Sequence, residues 1–402
     1  MVLKRKINEA RNYSEAMVGQ VFRGQSREFY TLLFIVIFLA GFGTLMVVSS
    51  SAVDSAKNGN SVWAELFPQL GAIVVGAIGL TVAAFMQPER IKKLLGLIFF
   101  VAMGLQALVA FTGLGVTING NRNWIRIFGV SFQPSEIIKI ALIIFLAKYL
   151  TEANNYRPNQ REYWYVPLLV FGFVGFFIVG LAQDVGSTLI IALSIFGMLF
   201  LGPISWTAVK RLVMLGMVGV IAVMLAGGSR RGRILAWAMP WMPDPADYNW
   251  QANHARWAFA SGGIFGTGLG KSQMKWSWLP EAQNDFIFAI IGEEWGMLGA
   301  LVTIICFVFL GITFMNIARK TDDPYRRFIV YGVMSWIMGQ AFINIAVVLG
   351  LLPVLGVNLP LISAGGSSML VTLTAIGMVL GVERQNGRGR PKLRVVRGGR
   401  SR

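Results

Sequence analysis

A carboxylate standing where a water-exposed loop runs into an apolar helix can hold its proton close to neutral pH, because burial and a neighbouring negative charge both disfavour ionisation. Residues 275–289 read Lys275-Trp276-Ser277-Trp278-Leu279-Pro280-Glu281-Ala282-Gln283-Asn284-Asp285-Phe286-Ile287-Phe288-Ala289, with Asp285 at such a junction and Glu281 just before it. A general base working on a sugar hydroxyl needs a carboxylate tuned in this way. The same position also suits a helix N-cap, where Asp satisfies free N–H groups. Glu293 and Glu294 follow about two turns deeper, where at least one must face protein interior or water.

Three further segments carry polar groups beside apolar runs. In Gln133-Pro134-Ser135-Glu136-Ile137-Ile138-Lys139 the proline suits a first helical turn, and Glu136 and Lys139 share one helix face. Their simplest use is an ion pair that neutralises two buried charges and fixes packing. Gln183-Asp184-Val185-Gly186-Ser187-Thr188 places Asp184 either as the cap of the next helix or as a contact for a ligand or cation. The stretch 350–368 is apolar, uncharged and punctuated by Pro and Gly, with Ser363 near its end. It suits a re-entrant or interfacial turn packed against helices, forming the wall of a lipid-facing groove. Gly270-Lys271-Ser272 resembles the end of a phosphate-binding loop, but the required first glycine falls on Phe265 and no strand pattern precedes it.

The elements that position these groups are set by composition. The 402 residues are 55% hydrophobic and 14% charged with a mean hydropathy of +0.61, against roughly 25% charged in soluble domains. A soluble domain is excluded. A single cysteine, Cys306, excludes an internal disulfide or a cysteine metal cluster, and a single histidine, His254, excludes a His-rich zinc site. The net charge of +17 sets topology in such a chain rather than recruiting nucleic acid. Apolar stretches recur near 30–49, 65–86, 94–113, 134–151, 165–182, 187–204, 209–227, 286–316, 328–350 and 366–382. An all-α integral membrane protein with about ten transmembrane helices is therefore expected.

Lys and Arg test that count by clustering in every second connection, including Arg90, Lys92 and Lys93, then Lys148, Arg157 and Arg161, then Lys210 and Arg211, then Arg319, Lys320, Arg326 and Arg327. Both termini are then cytoplasmic, with a polar segment 1–28, a membrane domain 29–383 and a basic, disordered tail 384–402 that anionic inner-leaflet lipid would attract. No cleavable signal precedes the first span, so a retained anchor is expected. The loop at about 228–285 lies outside and keeps Arg230, Arg231, Arg233, Arg256, Lys271 and Lys275 against the rule, which suits an anionic ligand.

Taken together, Asn-Gly-x-x-x-Trp at 119–124, Gln-Pro-Ser-Glu-x-x-Lys at 133–139, Asp-x-Gly at 184–186, Leu-Pro-Glu-Ala-x-x-Asp-Phe-Ile-Phe-Ala at 279–289 and the Gly/Pro/Ser block at 350–367 occur in the order found in one family. Residues 30–384 resemble the SEDS family (shape, elongation, division and sporulation) of membrane glycosyltransferases, and look more like its division branch than its elongation branch. The resemblance implies a GT-C-like polytopic fold and an inverting transfer. The 4-hydroxyl of one lipid II sugar would displace the polyprenyl diphosphate of a growing glycan strand, at the cell membrane of a bacterium and during septal wall synthesis. It also implies Asp285 as the catalytic residue. Lys275, Glu281, Arg122, Asp184, Trp124 and Ser363 are the implied substrate contacts, with Lys275 the first candidate for the diphosphate. Arg, Lys or a divalent cation can supply the positive charge that such a leaving group needs. Many members carry Arg directly before the tryptophan where this chain has Asn123, and Pro where it has Gln183. The implied partners are a class B penicillin-binding protein, an FtsI-like transpeptidase, and other divisome proteins. Rival readings are a lipid II flippase, a non-enzymatic division scaffold and an elongation polymerase.

Overall fold

Long apolar runs bounded by helix-start residues become helices in the computed structural model, which describes residues 25–57, 66–118, 121–127, 130–155, 184–202, 228–244, 246–276 and 278–389, with isolated residues near 61–63, 169–174 and 207–218. α1 (Arg27–Lys57), α2 (Leu66–Phe85) and α3 (Pro88–Phe111) come first. A small sheet follows, β1 (Gly115–Ile118), β2 (Asn121–Ile127) and β3 (Val130–Phe132). Then come α4 (Pro134–Asn155), α5 (Val185–Phe200), α6 (Gly228–Ala238), α7 (Trp250–Gly262), α8 (Ile287–Glu294), α9 (Gly296–Lys320), α10 (Pro324–Val348) and α11 (Gly366–Gly389).

α1, α2, α3, α9, α10 and α11 are long and apolar enough to cross a membrane. α4 has 22 residues but carries the Glu136 and Lys139 charges, and α5 is a shorter apolar helix of 16. The expected spans 165–182 and 209–227 lie for the most part outside the described residues, as do residues 1–24 and 390–402. Helix starts follow local chemistry. Pro88 and Pro324 open α3 and α10, and Asp323 caps α10 by accepting a 2.8 Å bond from the Arg326 N–H.

Two features depart from the all-helical expectation. The sheet is antiparallel in the order β1-β2-β3, pairing Val116 with Trp124 and Ile125 with Phe132. Its β-branched and aromatic residues favour strands over so short a stretch between spans. The expected single span 286–316 is also broken at Trp295, where Gly296 takes φ +68°. A side chain at Gly296 would come within 2.4 Å of the Gly266 nitrogen and the Ile264 oxygen, so the exterior loop packs directly on this corner.

α2 and α11 meet through small residues. A Cβ on Gly377 would lie 2.3 Å from the Leu80 oxygen, and one on Gly79 2.3 Å from the Thr374 hydroxyl, the close backbone approach by which helices associate in lipid. The bundle's two ends differ in charge. At one end Lys92 pairs with Glu152, Arg326 with Glu89 and Lys320 with Glu28, while Arg384 stacks on Phe85. The basic clusters 90–93, 319–327 and the start of the tail thus share one end. The sheet and the Asp184 and Asp285 segments occupy the other.

Candidate active site

The turn at 279–286 presents Asp285. Glu281 takes φ 59°, which curls the chain so that its carbonyl accepts from the Asn284 and Phe286 N–H groups at 3.0 and 3.2 Å. The Asn284 Nδ2 donates back to the Glu281 carboxylate at 2.5 Å. The turn is then fastened from the 350–365 segment and α10. Asn344 Nδ2 uses its two hydrogens on the Asp285 and Val357 carbonyls, both at 2.6 Å. The Ser363 hydroxyl donates to the Asn284 carbonyl at 2.6 Å, and the Ala364 N–H to the Gln283 carbonyl at 2.9 Å. The backbone of Asp285 is therefore rigidly held.

Its side chain is not. Asp285 is half-buried, and its carboxylate accepts no hydrogen bond from any described residue. Burial first, then the charges of Glu281 and Asp184, push its pKa up to about 7, and the Arg233 charge opposes them. Asp285 lies outside the spanning helices, at the mouth of α8. A carboxylate with open lone pairs that titrates near neutrality can take a proton from a bound hydroxyl.

Asp184 stands across the 355–357 segment from this turn. A Cβ on Gly186 would lie 2.8 Å from the Leu355 oxygen, and one on Gly356 3.7 Å from Asp285 Oδ2. Asp184 caps α5. Its Oδ1 accepts from the Ser187 N–H at 2.9 Å, and its Oδ2 from the Ser187 hydroxyl at 2.6 Å, Gln133 Nε2 at 2.9 Å and Asn123 Nδ2 at 2.5 Å. Asn123 also donates to Ser135 at 3.0 Å, so it ties β2 and α4 to this carboxylate.

Residues 30–388 match the family model for cell cycle proteins that joins FtsW, RodA and SpoVE. The chain belongs to this family. It is 36% identical over 369 residues to a Mycobacterium tuberculosis protein named "Probable peptidoglycan glycosyltransferase FtsW", covering 92% of this chain and 70% of that one. It is also 36% identical over 358 residues to stage V sporulation protein E of Bacillus subtilis, covering 88% and 96%. Among solved structures, Thermus thermophilus rod shape determining protein RodA aligns with a TM-score of 0.65 at 24% identity, over 91% of this chain and 98% of that one. A chain from a peptidoglycan synthase complex that coordinates polymerization and crosslinking aligns at 0.69, also at 24% identity, over 89% and 98%. The structural matches establish the SEDS fold.

Within this SEDS chain the other expected site residues take different positions. Ser363 joins the Asp285 turn through the bond to Asn284, and Glu281 shapes that turn. Trp124 is half-buried in β2, and the Arg122 backbone pairs with Thr117 in the same sheet. Asn119, Gly120 and Gln183 lie outside the described residues. Lys275 is buried and committed. Its ammonium donates to the Gly270 carbonyl at 2.7 Å, the Glu294 carboxylate at 3.1 Å and the Ser49 carbonyl at 3.2 Å. An ammonium has three hydrogens, so these contacts occupy it. Glu294 also accepts from the Ser49 hydroxyl, and Glu293 from the Ser272 hydroxyl and the Gln273 N–H. Both glutamates thus anchor the 270–275 loop, Ser272 included, to α1 and α8.

Glu136 and Lys139 meet at 2.8 Å with both side chains buried. Lys139 also donates to Gln340 Oε1 at 3.2 Å and lies 5.1 Å from the centre of the Trp336 ring, while Gln340 reaches Asn358 at 2.7 Å. The pair is wired to the same 350–365 segment that fastens Asp285. Sequence reasoning missed Asn344 and singled out no role for Arg233. The signal for Arg233 was its place among basic residues kept outside against the charge rule. No three His, Cys, Asp or Glu gather as metal ligands among the described residues. The Asp184 carboxylate is already used by four donors, which leaves it a poor ligand for a divalent cation.

Proposed function

We propose that this chain is a peptidoglycan glycosyltransferase that polymerises lipid II into glycan strands, with Asp285 as its general base. The observation that carries the reading is a carboxylate held by its backbone, free of hydrogen-bond donors and poised near pH 7 within a family whose relatives bear that name. Asp285 takes the proton of the acceptor sugar's 4-hydroxyl as the new oxygen–C1 bond forms on the donor sugar. The C1–oxygen bond to the polyprenyl diphosphate breaks on the opposite face, which inverts the anomeric centre. Arg233 is our candidate for stabilising the departing diphosphate: its charge reaches Asp285 and it makes no ion pair among the described residues. Lys275 supports the site by holding its loop, and Asp184, Trp124 and Arg122 are our further candidates for substrate contacts.

The site then faces the outside of the cell membrane, with both termini and the paired basic end in the cytoplasm and residues 29–383 forming the catalytic unit. Glycan made here needs peptide crosslinking, for which the chain carries no motif. A class B penicillin-binding protein in the septal machinery fits that need, as the similarity to a chain of a polymerising and crosslinking complex supports.

Purified chain with labelled lipid II in detergent tests the reading, since no membrane is present to flip across. Wild type is expected to make long glycan, and Asp285→Asn to lose at least about 100-fold of that rate while keeping its fold, the usual worth of a general base. Near-normal synthesis by folded Asp285→Asn protein would remove Asp285 from the role. No synthesis by wild type with its transpeptidase present would favour flippase or scaffold.

A further inference from the structure

A cavity of about 840 Å³ opens between α3 and α4, with Val170 on a third side, at the end of the bundle opposite Asp285. α3 runs 24 residues from this cavity to the sheet, about 36 Å at the usual rise. Lys92, Gly96 and Phe99 share one face of α3, and Phe145 and Lys148 one face of α4, all lining the cavity. On both helices the lysines sit one to two turns nearer the helix end than the aromatic rings. The cavity therefore has a basic rim and an apolar floor.

The rim charges are not all spoken for. Glu89 is bound by Arg326 at 2.6 Å, and Lys92 lies 3.4 Å from Glu152. Glu89 and Glu152 lie one turn from Lys93 and Lys148 on the same helices but are engaged by Arg326 and Lys92, so Lys93 and Lys148 make no ion pair among the described residues. Lysines near helix ends commonly reach for the bilayer surface. That tendency accounts for the charges, but not for a concave apolar floor between them. A Cβ on Gly96 would meet nothing within 4 Å, so the floor is open at its centre.

We propose that this cavity binds an anionic phospholipid of the adjacent leaflet, with the phosphate between Lys93 and Lys148 and the first part of an acyl chain along Phe99 and Phe145. Charge order along the membrane normal carries the assignment: cations at headgroup depth, aromatic and aliphatic wall below, in the sequence of groups that such a lipid presents. A zwitterionic lipid brings a cation of its own toward the two lysines, and a soluble phosphate has nothing to fill the floor. The site is independent of the chemistry assigned to Asp285.

Native mass spectrometry of the full chain in detergent, mixed with palmitoyl-oleoyl phosphatidylglycerol or the matching phosphatidylcholine, reads the proposal directly. Wild type should retain one phosphatidylglycerol at least about tenfold more tightly than phosphatidylcholine. Lys93→Gln with Lys148→Gln should lose about 25-fold, at roughly fivefold per lysine, while Lys93→Arg with Lys148→Arg keeps the lipid. Gly96→Phe fills the floor with both lysines intact and should also release it, which covers the case of a double variant that does not fold. Equal retention of the two lipids by wild type would overturn the proposal. So would undiminished phosphatidylglycerol retention in either the folded Gln double variant or Gly96→Phe, or glycerol phosphate binding as tightly as the lipid.

Discussion

Asp184 and Asp285 stand on either side of one extended segment, and their carboxylates are treated in opposite ways. Asp184 accepts four hydrogen bonds, two from Ser187 and one each from Gln133 and Asn123. Asp285 has its carbonyl tied by Asn344 but its carboxylate given no donor, with two other negative charges in range. A carboxylate whose lone pairs are taken by donors holds elements together; one denied donors keeps its lone pairs open to a substrate proton. The same division holds among the deeper charges. Glu294 and Glu136 each face a lysine, at 3.1 and 2.8 Å. These buried carboxylates each have a cation or hydrogen-bond donors, and the reactive position is the exception.

Breaking a scaffold pair should have the largest effect on stability. Lys275→Met leaves Glu294 buried against Ser49 without its cation, and such an orphaned charge typically costs about 3–5 kcal/mol. The thermal midpoint in detergent should fall sharply, and Lys275→Met with Glu294→Leu should recover much of it. If Lys275 instead held the diphosphate, the single variant would keep its midpoint and lose only turnover.

Removing charge from Asp285 should do the reverse. A group whose folded pKa is raised contributes stability that is fully present below its unfolded pKa and is lost as pH rises toward the folded value. Between about pH 4 and pH 7 the wild type therefore loses stability that Asp285→Asn does not lose. The variant's advantage should grow across that window and level above it. Its ceiling is about 4 kcal/mol, less whatever solvent screens at the open side of the carboxylate. Thermal midpoints of both proteins at pH 5 and pH 8 measure it, and a variant less stable than wild type at pH 8 would show that the ionised carboxylate is itself a stabilising contact.

Asp184→Asn should cost less, about 1–3 kcal/mol. An amide has one acceptor oxygen for donors that now use two, so one or two polar groups lose their partner. Above pH 7, where Asp285 is ionised in both proteins, activity should follow the loss of folded protein rather than exceed it. A loss of turnover as large as that of Asp285→Asn at full folding would erase the distinction between the two carboxylates.

Much of this contrast was legible before the structure. The loop-to-helix junction marked Asp285, the spacing of Glu136 and Lys139 placed them on one face, and alternating Lys/Arg clusters foretold that residues near 90, 320 and 384 would share an end. Resemblance to a family then ranked Asp285 above its rival role as a cap. What could not be read were partners distant in the chain. Lys275 meets Ser49, 226 positions away, and Asn344 reaches Asp285 across 59; no local pattern specifies either. The break at Gly296 depends on the Ile264–Gly266 backbone arriving from the loop, and the sheet is too short for periodicity to separate it from a connection between spans.

Initial polymerisation rates of wild type and Glu281→Gln, measured with lipid II from pH 5 to pH 9, bear most directly on Asp285 as a base tuned by its surroundings. Burial and the Glu281 and Asp184 charges place its pKa at about 7, so the wild-type rate should rise tenfold per pH unit below that point and level above it. Deleting the Glu281 charge removes one cause of the raised value, and the rising limb should move to lower pH with the fold intact. Arg233→Gln should move it the other way, along with any lower plateau from a less stabilised leaving group. A wild-type rate that is flat across this range, or a limb that stays in place in folded Glu281→Gln protein, would contradict the account.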